Sequence, residues 1–289
     1  MKKILVMVLT AVLVLSIGAC KEKIEENAVV VSTVDEFMNA IEDDAVIYLE
    51  PGVYNLTEWI DEVALPIADY ENEKNFQLYH DYLYVYDHVF IAGVPDGYEV
   101  AISEAKNLTI KSKDAANPAT IIAEARCAQV LKIFSCENLK LENLYLGHSP
   151  DQGRCIGNVI ECEDSDGIEI SCCDLYGCGV FGLSVIDSKN ISVSDSVIHD
   201  CSDGVLDSHG SEAIVFKDSI IENMPDLTLI AVKSSVDFDG CTFRNIGGDF
   251  GSIQRSNVTF TSCTFDEVAQ SLVETFATEN DKQVVLNEG

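Results

Sequence analysis

Positively charged residues are scarce in this sequence. It contains 18 lysines and arginines against 49 aspartates and glutamates, which gives a formal net charge of −31 at pH 7. A surface of this charge repels the phosphates of nucleic acids and anionic membranes alike, so no nucleic-acid partner is expected. It suits a soluble exported protein, or one that meets polyanions only through divalent cations. Acidity that serves solubility alone is the simpler explanation.

A hydrophobic run long enough to cross a membrane is also missing. The apolar stretch from Ile4 to Ala19 has 16 residues, where about 20 are needed to span a bilayer. Preceded by Lys2 and Lys3, it predicts a secretory signal over residues 1–19. Its last letters, IGAC, resemble the bacterial lipobox, which implies that Cys20 receives diacylglycerol and becomes the mature N-terminus. The resemblance predicts a lipid-anchored, extracytoplasmic protein on the cell membrane or outer membrane.

The 11 cysteines lack the spacing of a zinc site, because no CxxC pair is followed by a second such pair. An exported protein with many cysteines suggests a disulfide framework. The internal repeat argues against this for most of them, since it assigns them to buried columns.

Six strand-like segments recur through the second half of the chain. Their starts are 29, 23, 23, 22 and 22 residues apart, at NLKLENLYL, GIEISCCDL, NISVSDSVI, AIVFKDSII, SVDFDGCTF and NVTFTSCTF. Each reads as a strand of alternating apolar residues, a two-residue turn and a second strand. A coil of ~22 residues that repeats its inward positions predicts an all-β fold, a single-stranded parallel β-helix.

Equivalent positions of successive segments define columns of side chains. Two columns are apolar throughout and predict the core: Leu141, Ile170, Val193, Phe216, Phe238, Phe260, and Leu146, Leu175, Ile198, Ile221, Phe243, Phe265. Three more predict buried thiols: Leu144, Cys173, Ser196, Ser219, Cys241, Cys263, then Ser149, Cys178, Cys201, Met224, Ile246, Val268, and Ile133, Cys162, Val185, Ser208, Ile230. Beside the last column runs an outward row of Lys132, Glu161, Ser184, Asp207 and Leu229.

The ends of the repeat differ from its middle. Helical spacing from Val34 to Ile41, with Thr33 as N-cap, predicts a short helix that caps the N-terminal end of the stack. The aromatic-rich segment that follows offers rings for stacking on sugars, although packing explains them equally well. The resulting divisions are a linker at 20–32, a β-helix at 33–268 with an insertion at 57–98, and a C-terminal cap and acidic tail at 269–289.

The opening TVDEF…IYLEPGVYNLT, the strand starts NLTI, NLKL and NISV, and GHSPDQGRC…CDLYGCG resemble bacterial right-handed β-helix repeat proteins of the pectin-lyase-like superfamily. The resemblance covers roughly residues 33–268 and implies a right-handed coil. Well-known members hydrolyse or β-eliminate acidic polysaccharides, but their catalytic signatures are not intact here. Of the hydrolase motifs only a Ser208-His209-Gly210 fragment is present, and the carboxylates Glu161 and Asp207 are two rungs apart, which gives little support to a Ca²⁺ site. No cofactor is therefore predicted.

Candidate chemistry falls on a loop that departs from the repeat, GHSPDQGRCIGN at 147–158, which we expect to overhang the next two coils. The polar side chains of this loop and of the coils beneath it would supply acid/base groups and would hold the substrate in place. In the alternative interpretation, His148 and Arg154 merely tie the loop down. The catalytic candidates are His148, Asp151, Arg154, His199 and Asp200, and the substrate-binding candidates are Arg126, Gln152 and Tyr176.

Three functions stay open. The first is a monomeric envelope protein that binds or handles complex carbohydrate. The second is a polysaccharide lyase or glycoside hydrolase. The third is a structural or adhesive surface module.

Overall fold

The computed structural model describes Glu25 and residues 28–66, 82–149, 156–177, 179–279 and 283–287. The predicted signal at 1–19 and the lipidation site Cys20 lie outside these ranges. No helix within them is long and apolar enough to cross a membrane.

The described chain winds through three long sheets, A, B and C, whose strands pair in parallel apart from one hairpin region. Sheet A contains β1 (Val29–Val31), β2 (Val46–Leu49), β7 (Thr109–Ser112), β10 (Glu137–Glu142), β13 (Asp166–Ser171), β16 (Lys189–Ser194), β19 (Glu212–Lys217), β22 (Ser235–Asp239), β25 (Asn257–Thr261) and β27 (Val284–Asn287). Sheet B contains β3 (Val53–Asn55), β8 (Thr120–Ala123), β11 (Tyr145–His148), β14 (Asp174–Tyr176), β17 (Val197–His199), β20 (Ile220–Met224), β23 (Thr242–Ile246) and β26 (Thr264–Phe265). Sheet C contains β4 (Leu83–Tyr86), β5 (Val89–Val94), β6 (Gly97–Ser103), β9 (Leu131–Phe134), β12 (Ile160–Glu163), β15 (Phe181–Ile186), β18 (Gly204–His209), β21 (Thr228–Val232) and β24 (Gly251–Gln254).

The order of strands within the sheets confirms the predicted β-helix. From β7 to β24 each coil contributes one strand to each sheet, and a strand of one coil pairs with its counterpart in the next. The predicted aromatic column is a stack in which the rings of Phe216 and Phe238 are 4.7 Å apart and those of Phe238 and Phe260 are 4.9 Å apart. These distances equal the spacing of strands in a sheet, so the phenylalanines pack face to face along the core axis.

Two column assignments are wrong in detail. The structure puts Ala231 rather than Ile230 in the inward column of sheet C, and Ile230 rather than Leu229 in the outward row. At these positions β18 and β21 pair 23 residues apart, whereas the assignment used the 22-residue offset of β19 and β22. The register of β18 also shifts by one residue near Gly204, where the two strands approach closely: a β-carbon at Gly204 would lie 2.2 Å from the carbonyl oxygen of Thr228.

The column of Cys201, Met224 and Ile246 is buried as predicted, but both of its end members are exposed. Ser149 borders the loop, and Val268, which is 47% exposed, lies on the C-terminal helix rather than on a coil. Its member Cys178 lies outside the described residues.

A buried ladder of serines lines the inner corner between sheets C and A. The backbone N–H of each serine except the last donates to the hydroxyl of the serine one coil later, at 2.9–3.2 Å. These hydroxyls satisfy amides that the tight bends leave without a strand partner. The ladder consists of Ser165, Ser188, Ser211, Ser234 and Ser256, all at most 5% exposed.

The cysteines that the structure describes are free thiols. Cys162, Cys173, Cys201 and Cys241 are buried, as the columns predicted, and Cys263 is partly buried. Cys155 lies outside the described residues.

Helices close both ends. Helix α1 (Val34–Asn39) begins at its predicted N-cap Thr33, whose hydroxyl accepts the N–H of Glu36 at 3.2 Å, and buries Phe37 and Met38. In the insertion, α2 (Leu56–Trp59) continues into a π-helical turn at Ile60–Ala64.

At the other end, α3 (Glu267–Glu279) covers the last coil. The ring of Phe276 stacks on that of Phe250 at 4.3 Å. Strand β27 then adds to sheet A by pairing with β25, so sheet A extends beyond residue 268.

Candidate functional site

The outward face of sheet B brings together part of the predicted constellation. Tyr176 pairs with Gly147 on one side and with His199 on the other, as the repeat predicted. Their rings stack with centroids 5.9 Å apart. Gly147 is needed here because a β-carbon at this position would lie 2.6 Å from the ring of Tyr176.

His199 is held between two carboxylates. Its Nε2 is 2.8 Å from Asp174 Oδ1 and its Nδ1 is 2.5 Å from Asp200 Oδ2. The hydrogen bond to Asp174, joined by that to Asp200, outweighs partial burial and raises the pKa of His199 to about 9. The imidazolium therefore donates both of its N–H groups at neutral pH. In this state it is a fixed cation and a poor general base.

His148 takes a different position from the one expected of an exposed site residue. It is 2% exposed, and its Nε2 donates to the carbonyl oxygen of Ala128 at 2.9 Å. Burial lowers the pKa of His148, so the neutral ring is favoured. This hydrogen bond attaches β11 to the preceding coil. His148 therefore has a structural contact of the kind that the alternative interpretation describes, in which it holds the loop in place.

The remaining predicted residues divide by location. Asp151, Gln152 and Arg154 lie outside the described residues. Arg126 is exposed, and its backbone N–H donates to Asp96 Oδ2 at 2.8 Å. Of the eight candidates, the structure thus brings Tyr176, His199 and Asp200 together, with Asp174 as an unpredicted fourth member.

A second cluster, on the outward face of sheet C, is more deeply buried. The ammonium group of Lys132 on β9 is 2.8 Å from Glu161 Oε1 and 2.6 Å from Glu163 Oε2, both on β12. Lys132 and Glu161 are each 8% exposed. Burial disfavours the charged lysine, but the two carboxylates outweigh it, so the pKa of Lys132 lies above its usual value.

Two further residues extend this cluster, Glu99 on β6 and Gln129 in the segment before β9. Gln129 donates its backbone N–H to Glu99 Oε2 at 3.1 Å and its side-chain amide to Glu161 Oε2 at 3.2 Å. Glu99 is 9% exposed, and burial raises its pKa. We call Glu99, Gln129, Lys132, Glu161 and Glu163 the sheet C network.

Aromatic rings adjoin the network without a break. The ammonium group of Lys132 lies 5.9 Å from the ring of Phe134, which contacts Tyr82 and Phe90 at 6.1 Å. Phe90 is fully buried, whereas Tyr82 and Tyr84 are 49% and 51% exposed. Two tyrosine faces thus stand at one end of a charged and polar sheet surface.

Part of the sheet C network could be predicted from the sequence. The outward row joined Lys132 to Glu161, and the structure confirms that pairing. Tyr82 belongs to the aromatic-rich segment whose rings the sequence offered for stacking on sugars. Glu99 was missed because β6 follows directly on the insertion, where the repeat is interrupted.

Metal-binding geometry does not emerge on either face. Among the described residues, no three His, Cys, Asp or Glu side chains are grouped as a metal ion requires.

Comparison with known proteins agrees with this architecture. The right-handed β-helix family matches residues 129–288, which is more than half of the chain, and the protein belongs to that family. No curated protein sequence matches the chain significantly.

Solved structures share the fold at low sequence identity. A pectate lyase from Paenibacillus sp. 0602 aligns with a TM-score of 0.54 and 9% identity, over 84% of this chain and 72% of the lyase. A pectate lyase from Bacillus sp. N165, solved in complex with trigalacturonate, aligns with a TM-score of 0.53 and 13% identity, over 82% of this chain and 69% of that one. These likenesses show that the chain shares the β-helix fold of the two pectate lyases.

Proposed function

We propose that this protein is a lipid-anchored envelope protein that binds complex carbohydrate along the outward face of sheet C. The observation that carries the proposal is the contiguity of two half-exposed tyrosines with the sheet C network. Tyrosine presents an apolar ring face and a polar tip, the combination that sugar rings with their hydroxyls require. The pectate lyases with the same fold add support, since they are named for a polysaccharide.

The network supplies fixed hydrogen-bonding groups beside the tyrosines. Glu161 and Glu163 are locked by Lys132, and Gln129 is locked by Glu99 and Glu161. Groups held in this way lose little conformational entropy when they bind a ligand. The flat strand surface that continues through Ser184 and Asp207 would extend the contact along a polymer.

The tyrosines provide the direct test. The experiment uses the full-length chain in detergent micelles and any glycan that the wild type binds on an array. The Tyr82→Ala/Tyr84→Ala variant is expected to lose about tenfold or more in affinity for that glycan, because each ring contributes of order 1 kcal/mol to binding. Tyr145→Ala is the matched control, since Tyr145 is 40% exposed on sheet B. Unchanged binding by the double variant, or an equal loss in the control, would reject the sheet C face. A melting curve for each variant separates lost binding from lost folding.

Polysaccharide cleavage is the second candidate. Its support is Glu99, a carboxyl beside Glu161 whose pKa is raised by burial, because a raised pKa favours the protonated form that a general acid needs. Incubation with the bound glycan, followed by detection of new reducing ends or unsaturated sugars, distinguishes the two. Product formation that Glu99→Gln abolishes would make the protein an enzyme.

Anchoring rests on the sequence at Cys20 and has its own test. Metabolic labelling with a palmitate analogue is expected to tag the wild-type protein, and Cys20→Ser is expected to abolish the tag. Labelling that persists in the variant would reject the lipoprotein assignment, and the glycan proposal would be unaffected.

A further inference from the structure

The charge on the sheet C face is strongly one-sided. Its nine strands contain one lysine and no arginine, against four carboxylates at Glu99, Glu161, Glu163 and Asp207. Within the sheet C network the balance is one positive charge and three carboxylates, a formal sum of −2 when all are ionised. Protonation of Glu99 would reduce this to −1.

The single lysine is not available to a ligand. Lys132 is 8% exposed, and its ammonium group already contacts Glu161 and Glu163. A carboxylate on an incoming sugar would therefore meet a lysine that is already paired and carboxylates that it does not fully neutralise.

An uncharged sugar faces no such penalty. Its hydroxyls can donate to the carboxylate of Glu163, whose side chain is 29% exposed, while its ring packs on the exposed faces of Tyr82 and Tyr84. Like charges placed against each other at short range discriminate between ligands by repulsion. Glu163 can thus accept a hydrogen bond from a neutral sugar, while its charge and those of the buried carboxylates beside it repel an acidic one.

We infer that the glycan bound on the sheet C face is uncharged, and that Glu99, Glu161 and Glu163 exclude polyuronates. The inference rests on the proposed function, because it specifies the ligand of the same face. It separates this chain from the Bacillus lyase of the same fold, whose complex contains trigalacturonate, an acidic sugar.

The first test uses the full-length wild type in detergent micelles on an array that holds neutral glycans and uronate-containing glycans, trigalacturonate included. The strongest hits are expected to be neutral. Oxidation of the primary hydroxyls of the best neutral hit to carboxylates, which leaves its backbone unchanged, is expected to weaken binding at least tenfold at low salt. Added salt should recover part of that loss, since it screens the repulsion.

The second test changes the charge of the face. Glu163→Gln removes one negative charge and keeps the contact of Lys132 with Glu161, so the fold should persist. It is expected to improve binding of the oxidised glycan several-fold. Glu169→Gln is the matched control, because Glu169 forms a 2.7 Å ion pair with Lys140 on sheet A, and its loss changes the net charge equally. The control is expected to leave binding of the oxidised glycan unchanged.

The outcomes distinguish failure of the charge selectivity from failure of carbohydrate binding itself. Binding of trigalacturonate or another uronate glycan at least as tight as that of neutral glycans would overturn the inference and leave carbohydrate binding intact. Equal responses in Glu163→Gln and Glu169→Gln would also overturn it, since long-range charge would then explain the selectivity. Binding of no glycan at all would reject the proposed function, and the inference with it.

Discussion

Replacing Lys132 with methionine is expected to lower the free energy of unfolding by about 3–5 kcal/mol at pH 7. The substitution keeps most of the side-chain volume but removes the cation that neutralises Glu161 and Glu163. Glu161 is 8% exposed, so its carboxylate would stay in the interior without a charged partner. The urea midpoint, followed by circular dichroism, measures the loss.

Lys140 provides the control for this substitution. It forms an ion pair with Glu169 on sheet A at 2.7 Å, but both side chains are about half exposed. Exposed pairs contribute at most about 1 kcal/mol, so Lys140→Met should change stability little. Equal effects at the two sites would show that the sheet C network does not depend on its lysine.

The pH dependence of the methionine variant gives an independent check. Burial already raises the pKa of Glu99 in the wild type, and Lys132 opposes that shift. Without Lys132, the folded protein should bind protons more readily than the unfolded chain, so stability rises as pH falls. The deficit of Lys132→Met relative to wild type should therefore shrink between pH 7 and pH 5. Adding Glu161→Gln and Glu163→Gln should reduce the deficit at pH 7 as well.

The repeat predicted those parts of the fold in which each coil copies the previous one. Phe216, Phe238 and Phe260 could be assigned to one column because a parallel register keeps equivalent residues in line. The assignment failed at Ile230 because it applied the 22-residue offset of β19 and β22 to sheet C, where β18 and β21 are still 23 residues apart. The coil becomes one residue shorter only at the corner between sheets C and A, where Ser211 bonds to Ser234 but the next contact joins Ala213 to Ser235. The spacing of the strand starts does not reveal on which side of a corner such a change falls.

The candidate sites were predictable to a smaller extent, for a related reason. The stacking of Tyr176 on His199 follows from strand register. The contact of His199 with Asp174 crosses diagonally between two rows, and columns alone do not reveal such contacts. The burial of His148 depends on which corner of the coil it occupies, which the loop at 147–158 obscured.

The charge state of His199 accounts for a second large effect, this time on sheet B. Asp174 and Asp200 each accept one of its N–H groups, and its pKa of about 9 exceeds the value of about 6.5 expected in the unfolded chain. A histidine whose pKa is raised on folding stabilises the protein fully below its unfolded pKa, and this stabilisation is lost as pH rises through the folded pKa. The window for His199 is therefore pH 6.5 to 9.

His199→Gln should reveal that window. At pH 6 the wild type is expected to exceed the variant in unfolding free energy by about 2–3 kcal/mol, a range that allows for solvent screening at the half-exposed Asp200. At pH 10 this charge-dependent advantage should have disappeared, because the neutral ring donates only one N–H and loses its attraction to two carboxylates. His209→Gln is the control for general effects of pH. NMR titration of the His199 ring protons should give a midpoint near 9; a midpoint near 6.5, with a stability difference that does not change with pH, would contradict the two-carboxylate arrangement.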